Sequence, residues 1–209
     1  MIPVSILALR YIPGADPRLA KALGAPKGRT SLGILTTDCD DATYIALDAA
    51  TKAADVEVAY ARSFYAGAAN ASTPNAGEVI GILAAPNPGA MKSGMDAAIA
   101  ALGRIGFEDA NGVPYLAHTV SSVGSFLARE AGVPLGSAIA YLIAPPLEGM
   151  YAMDAALKAA DVMLCKLYAP PSETNFGGGL LAGTQSACQA ACDAFAQAVK
   201  EVAHNPKKE

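Results

Sequence analysis

Three carboxylates fall within four residues at Asp38-Cys39-Asp40-Asp41. Such a run has two readings. At the start of a helix, a side-chain oxygen accepts an orphan backbone N–H, and negative charge complements the positive end of the macrodipole. That accounts for one carboxylate, Asp41. Like charges so close repel, and the other reading is a site for a cation or an ammonium. Two further stretches carry candidate groups. Residues 62–77 make a long connection of mostly small residues containing Phe64, Tyr65 and Asn70, where two to five residues are usual between paired strands. Residues 170–176, Pro-Pro-Ser-Glu-Thr-Asn-Phe, are stiffened by two prolines and present hydrogen-bonding side chains, Thr174 among them. These stretches are either surface loops, or a mobile gate and a rigid pore rim.

The rest of the chemical inventory is sparse. His118 falls in a strand and reads as a packed or hydrogen-bonded residue, and His204 lies in the tail. No nucleophile–base pair is visible, so no catalytic residue is assigned and an enzyme is not expected. Cys188 and Cys192 lie four apart in a helical segment and read as small buried residues. No further ligands are spaced to complete a zinc site with them, so no metal is expected. Gly177-Gly178-Gly179 opens a strand rather than a helix, which makes it weak as a phosphate cradle.

The elements that position these groups come as the same unit twice. Residues 46–56, ALDAATKAADV, recur as residues 152–162, AMDAALKAADV. Upstream, residues 19–26, LAKALGAP, match residues 127–134, LAREAGVP. Matches in the same order place two homologous domains, 1–110 and 111–209. Each half reads as strand (4–11; 115–121), short helix stopped by Gly24 or Gly132, strand (30–37; 137–144) and Ala-rich helix. A strand (56–61; 162–168), a loop, another strand and a last helix follow. In the first Ala-rich helix, Asp48 and Lys52 stand at i,i+4 as a surface pair. Strands and helices do not alternate strictly, so the fold class is α+β, with a small, mostly antiparallel sheet flanked by helices in each half.

Composition sets the outer bounds. The chain has 209 residues, 53% hydrophobic and 16% charged, with a net charge of −4. That excludes disorder and gives no footprint for nucleic acid. The most apolar stretch, 133–147, is interrupted by Gly136 and the Pro145–Pro146 pair, which argues against a membrane span. No targeting segment is read at the N-terminus, so a cytoplasmic location is expected. So few charges on so apolar a chain are reconciled with solubility by burial in an oligomer.

Residues 38–46 (DCDDATYIA), 61–68 (ARSFYAGA), 144–148 (APPLE) and 170–175 (PPSETN) together resemble the ethanolamine-utilisation shell proteins of bacterial microcompartments. The resemblance covers essentially the whole chain. It implies two tandem, circularly permuted BMC domains and a homotrimer that forms a pseudohexameric tile beside other shell proteins. It also implies a central pore gated by residues 62–77 and 106–111, with Tyr65, Phe64, Phe107 and Asn70 as gating residues. A small pore in each subunit would take ethanolamine at Asp40, Phe107 and Thr174. The resemblance implies no required cofactor, only ethanolamine or cobalamin as a bound ligand. The alternative is a regulatory protein that binds a small amine or cobalamin without building a shell.

Overall fold

Strand β1 (Ile6–Ile12) is followed by the short helix α1 (Pro17–Ala22), β2 (Ser31–Thr37) and α2 (Asp40–Ala53). Then come β3 (Glu57–Ser63), β4 (Val79–Ala85), α3 (Pro88–Leu102), β5 (Glu108–Ala110) and β6 (Val113–Val120). The chain continues with α4 (Ser125–Ala131), β7 (Ala138–Ala144), α5 (Pro146–Ala159), β8 (Val162–Tyr168), β9 (Gly177–Gly183) and α6 (Gln185–His204). The computed structural model describes residues 1–64, 73–170 and 172–207. The chain divides into two compact units. One holds Pro3–Ile105 with Gly124–Leu127, and the other holds Met1–Ile2, Gly106–Val123 and Ala128–Glu209.

In the first unit the strand order is β1-β2-β4-β3, and every pairing is antiparallel. Side chains alternate across a strand, so even and odd positions of β2 and β4 serve different layers. Leu32, Ile34, Ile80, Ile82 and Ala84 pack with Ala15, Leu23 and Ala25 from the segment around α1. On the opposite face, a Cβ on Gly33 would lie 2.6 Å from the sulfur of Met91 in α3, and one on Gly81 would lie 2.7 Å from Leu47 in α2. These two strand glycines therefore let α2 and α3 lie close on the sheet. The short α1 is started by Asp16, whose carboxylate accepts from the backbone N–H of Arg18.

The second unit has the order β5-β6-β7-β9-β8, again with every pairing antiparallel. Its core is built by α5 and α6, with Leu142, Leu181, Cys188, Ala191, Cys192 and Phe195 buried together. Both helical cysteines are core residues, as their spacing suggested. Thr119 donates its hydroxyl to the Cys192 sulfur at 3.4 Å, and burial pushes that thiol up to about 11. The two antiparallel sheets flanked by helices are the expected α+β architecture. Among the described residues, no helix is long and apolar enough to cross a membrane.

Two expectations are corrected. Residues 106–111 are not a loop throughout, because Glu108–Ala110 pairs with Val113–Tyr115 as a hairpin. Its two-residue turn is Asn111-Gly112 at φ 56° and 85°, the dipeptide favoured where both central residues take left-handed φ. The second concerns Asp48, which does pair with Lys52 at 3.3 Å but is fully buried rather than on the surface. Its carboxylate accepts from the backbone N–H groups of Gly124 (2.7 Å) and Leu127 (2.8 Å), while the Thr51 hydroxyl accepts from Ser125 N–H. Asp48 thus supplies, from α2, the cap that Gly124 cannot provide to the start of α4.

Candidate functional site

The acidic run lies at the junction of β2 and α2, and the two carboxylates at the helix start are buried. The helix-starting residue is Cys39, not Asp41. Cys39 has extended backbone and makes no side-chain cap, and Asp40 and Asp41 are the first helical residues. The junction is held instead by two threonines. The Thr37 hydroxyl accepts from Cys39 N–H and shares a 2.7 Å hydrogen bond with the Thr43 hydroxyl, which reaches the Cys39 carbonyl at 2.8 Å. Both threonines are fully buried, so their hydroxyls fix the turn.

Each carboxylate then has its own setting. Asp38 is exposed and accepts from the backbone N–H of Ser5 at 2.7 Å, tying the run to the residue preceding β1. Asp40 is 7% exposed and accepts from the N–H of Asp41 at 2.8 Å. Asp41 is 6% exposed.

The electrostatics follow from this burial. Removal from water pushes the Asp40 carboxyl above the usual carboxylate range, partly opposed by hydrogen bonds from the Ser63 hydroxyl and from Asp41. Ser63, at the end of β3, also hydrogen-bonds the Tyr44 hydroxyl. Burial first, and then the charges of Asp40 and Asp41, push that phenol up to about 12. Glu78 is raised as well, by burial and then by Asp40 and Asp38. Burial raises the Cys39 thiol too, which keeps it protonated.

Asp40 and Glu78 are thus both held above the usual carboxylate range, Asp40 by burial and Glu78 by burial and then by the charges of Asp40 and Asp38, an arrangement that suits an incoming cation. Among the described residues, no group of three or more His, Cys, Asp or Glu side chains is placed to hold a metal ion. Glu78, Ser63 and Tyr44 were not singled out in the sequence. Ser63 ends β3 and Glu78 directly precedes β4, a pair of strands that only the sheet order brings to the start of α2, and Tyr44 is one turn along α2 itself.

The other candidates belong to the second unit. Phe107 precedes β5, is half-buried, and lies 5.7 Å from Phe176, ring centroid to ring centroid, at 44°. Its carbonyl accepts from the N–H of Ile2. A Cβ on Gly106 would sit 2.3 Å from the Ile2 carbonyl, which is why glycine precedes the phenylalanine. Thr174 is half-buried in a turn closed by Asn175 N–H to Ser172 C=O at 3.2 Å, with Asn175 at φ 64°. Phe176, missed in the sequence, is thus the aromatic partner of Phe107 two residues beyond Thr174. Phe64 is half-buried and donates its N–H to the Glu78 carbonyl at 3.0 Å. Tyr65 and Asn70 lie outside the described residues. Asp40 therefore belongs to one unit, and Phe107 and Thr174 belong together to the other.

Comparison with known proteins gives one answer. A model of the BMC domain matches residues 31–113. The chain is 56% identical to the bacterial microcompartment shell protein EutL of Clostridium perfringens (strain 13 / Type A), over 99% of this chain and 97% of that protein. It is 49% identical to the EutL shell protein of Escherichia coli (strain K12), over 99% of this chain and 96% of that protein. Its fold matches the crystal structure of the ethanolamine utilization protein EutL from Leptotrichia buccalis C-1013-b at a TM-score of 0.95 and 57% identity, covering 100% of this chain and 98% of that one.

Proposed function

The chain belongs to the EutL family of bacterial microcompartment shell proteins, and from that premise we propose that it forms a homotrimeric tile whose pores control passage of small molecules of ethanolamine catabolism. It is a structural protein of the shell and not an enzyme. The observation that carries the proposal is 56% identity with a shell protein over 99% of this chain. Each repeat is taken as one permuted domain. The wild-type chain is expected to scatter light as three chains and to form sheets or tubes when overproduced. A single-chain mass at high concentration overturns the trimer.

The gate is assigned to residues 62–77, with Phe64, Tyr65 and Asn70, and to Phe107. The ligand is ethanolamine, a primary ammonium with one hydroxyl. A carboxylate offers it charge, an aromatic face cation–π attraction and a threonine a hydroxyl partner. Asp40, Phe107 and Thr174 are taken one by one as the residues that supply these. The burial of Asp40 supports its assignment, since a cation offsets the cost of ionising a carboxylate held away from water.

Asp40 also makes the reading testable by pH. Its carboxyl is raised in the folded chain, so the folded state holds the proton to higher pH than the unfolded state does. The stability from that difference is complete below the ordinary carboxylate range and is lost as pH rises through the raised value. Asp40→Asn is therefore expected to melt above wild type at pH 7, with the gap closing towards pH 3. Calorimetry is expected to show no ethanolamine binding by this variant, and wild-type binding that strengthens as Asp40 ionises. Unchanged binding by Asp40→Asn removes Asp40 from the site.

A further inference from the structure

The first unit holds a cleft that the pore reading does not use. A cavity of about 330 Å³ opens between the end of β1, the start of β2 and the first turns of α3. Leu32 and Met91, both buried, close its inner end, while Pro13, Pro88, Tyr11 and Lys92 stand exposed at its mouth. The Ser31 hydroxyl in the inner wall is already satisfied, since it donates to the Pro13 carbonyl at 2.7 Å. The interior therefore suits an apolar body. Small-molecule sites are typically of this kind: concave, about 300–1,000 Å³, mainly apolar, with a few polar groups that orient the guest. The two prolines stiffen the mouth, and the flexible thioether of Met91 adapts to what enters.

The internal repeat shows this place with its two sides joined. Tyr11 stands eight residues before Leu19, and Thr119 stands eight before the matching Leu127. Lys92 and Gln189 match on the last helix of each half. Each stands four residues before an aspartate, Asp96 or Asp193, and each donates a hydrogen bond to it. In the second copy the Thr119 hydroxyl also donates to the Gln189 side-chain oxygen at 3.0 Å, so strand and helix side chains meet directly. In the first copy the same two positions hold a phenol and an ammonium, one on the strand and one on the helix that border the cleft.

We infer that this cleft binds a small carboxylate with an apolar chain, the chain lying against Leu32 and Met91 and the carboxylate held at the mouth by the Lys92 ammonium and the Tyr11 hydroxyl. Lys92 gives one N–H to Asp96 at 2.7 Å, and its side chain is 70% exposed. An ammonium has three donors, so two remain for a second acceptor. Of that ion pair it is Lys92 that lines the cleft, which selects an anionic head over a cationic one. The site lies in the first unit and uses none of Asp40, Phe107 and Thr174, so it stands or falls apart from the ethanolamine reading.

The test is calorimetry of the full-length chain with butyrate, hexanoate, octanoate and the neutral 1-hexanol. One carboxylate per chain is expected, tightening about fourfold with each added methylene. Lys92→Gln places the second copy's residue on an exposed side chain. It is expected to weaken hexanoate about tenfold and to leave 1-hexanol at its wild-type affinity. Adding Tyr11→Thr rebuilds the Thr–Gln bridge of the second copy and is expected to abolish binding of both. Affinity that does not rise with chain length overturns the site, as does a Lys92→Gln chain that binds hexanoate like wild type. A double variant that still binds 1-hexanol overturns the cleft as its location. Light scattering of the same samples covers the other occupant. Hexanoate that binds only while lowering the mass of the assembly shows the cleft to be a contact between copies, and overturns the carboxylate.

Discussion

Asp48→Ala is expected to lower the free energy of unfolding by about 3–5 kcal/mol, against less than about 0.5 kcal/mol for the same change at Asp154. The two aspartates occupy the same place in the repeat, DAATK in one copy and DAALK in the other, and both pair with the lysine four residues on. What differs is the surroundings. Asp154 and Lys158 are both largely exposed and pair in water, where entropy and screening leave little net gain. Asp48 is fully buried and holds two backbone N–H groups at 2.7 and 2.8 Å. Alanine leaves both donors without an acceptor in a dry site, at about 1–3 kcal/mol each. Asp48→Asn should fall between, at about 2 kcal/mol, since the amide keeps one accepting oxygen but turns its NH2 towards the second donor. Denaturant unfolding of the three variants, compared at one chain concentration, reads this order directly. Equal losses at Asp48 and Asp154 would show that burial does not set the cost.

That pair also marks how far the sequence could be read. The repeat, the α+β class and most of the element order follow from local signals: strands bounded by Pro or Gly, helices stopped at Gly24 and Gly132, apolar residues at helical spacing. Burial does not follow from them, because it depends on which distant segment lies on a helix. Nothing near Asp48 announces that residues 124–127 cover it, so its i,i+4 pairing with Lys52 reads as a surface pair. The acidic site was legible for a related reason and incomplete for the same one. Asp38, Asp40 and Asp41 stood out because the second copy has Ala144, Pro146 and Leu147 in their place. Glu78 and Ser63 join them from β4's approach and β3's end through strand order, which leaves no trace in spacing. Asp41 looked like a helix cap because the run suits one, but buried hydroxyls of Thr37 and Thr43 had already fixed the turn. The β5 hairpin was different, since Asn111-Gly112 is an explicit turn signal and its neighbours pair across it.

Gly178→Ala is expected to cost about 3–6 kcal/mol and to leave most of the chain insoluble, combining backbone strain with overpacking. Three glycines open β9, as the sequence places them, at a strand start rather than a helix start. The structure gives each a different reason. β9 lies between β7 and β8, and Gly178 has φ +153°, a conformation that side chains rarely adopt. A Cβ there would lie 1.9 Å from the Leu142 carbonyl oxygen of β7, so the two strands would have to part. At Gly179 the Cβ would come 2.4 Å from the Lys166 carbonyl of β8. Gly177 is less confined, with the tip of Pro170, the end of Met150 and the Tyr168 carbonyl at 3.1–3.2 Å. Gly14 meets nothing within 4 Å. Alanine substitutions at 14, 177 and 178 should therefore rank in that order. The first should stay within about 0.5 kcal/mol of wild type and the second should lose about 1 kcal/mol. Close strand approach predicts this gradient, because only backbone oxygens cannot move aside. A phosphate cradle or a hinge predicts no such gradient, since both depend on open space around the glycine. Soluble yield and denaturant midpoint across the three variants separate the two. A Gly178→Ala chain as stable as Gly14→Ala would mean that β7 and β9 can part without loss.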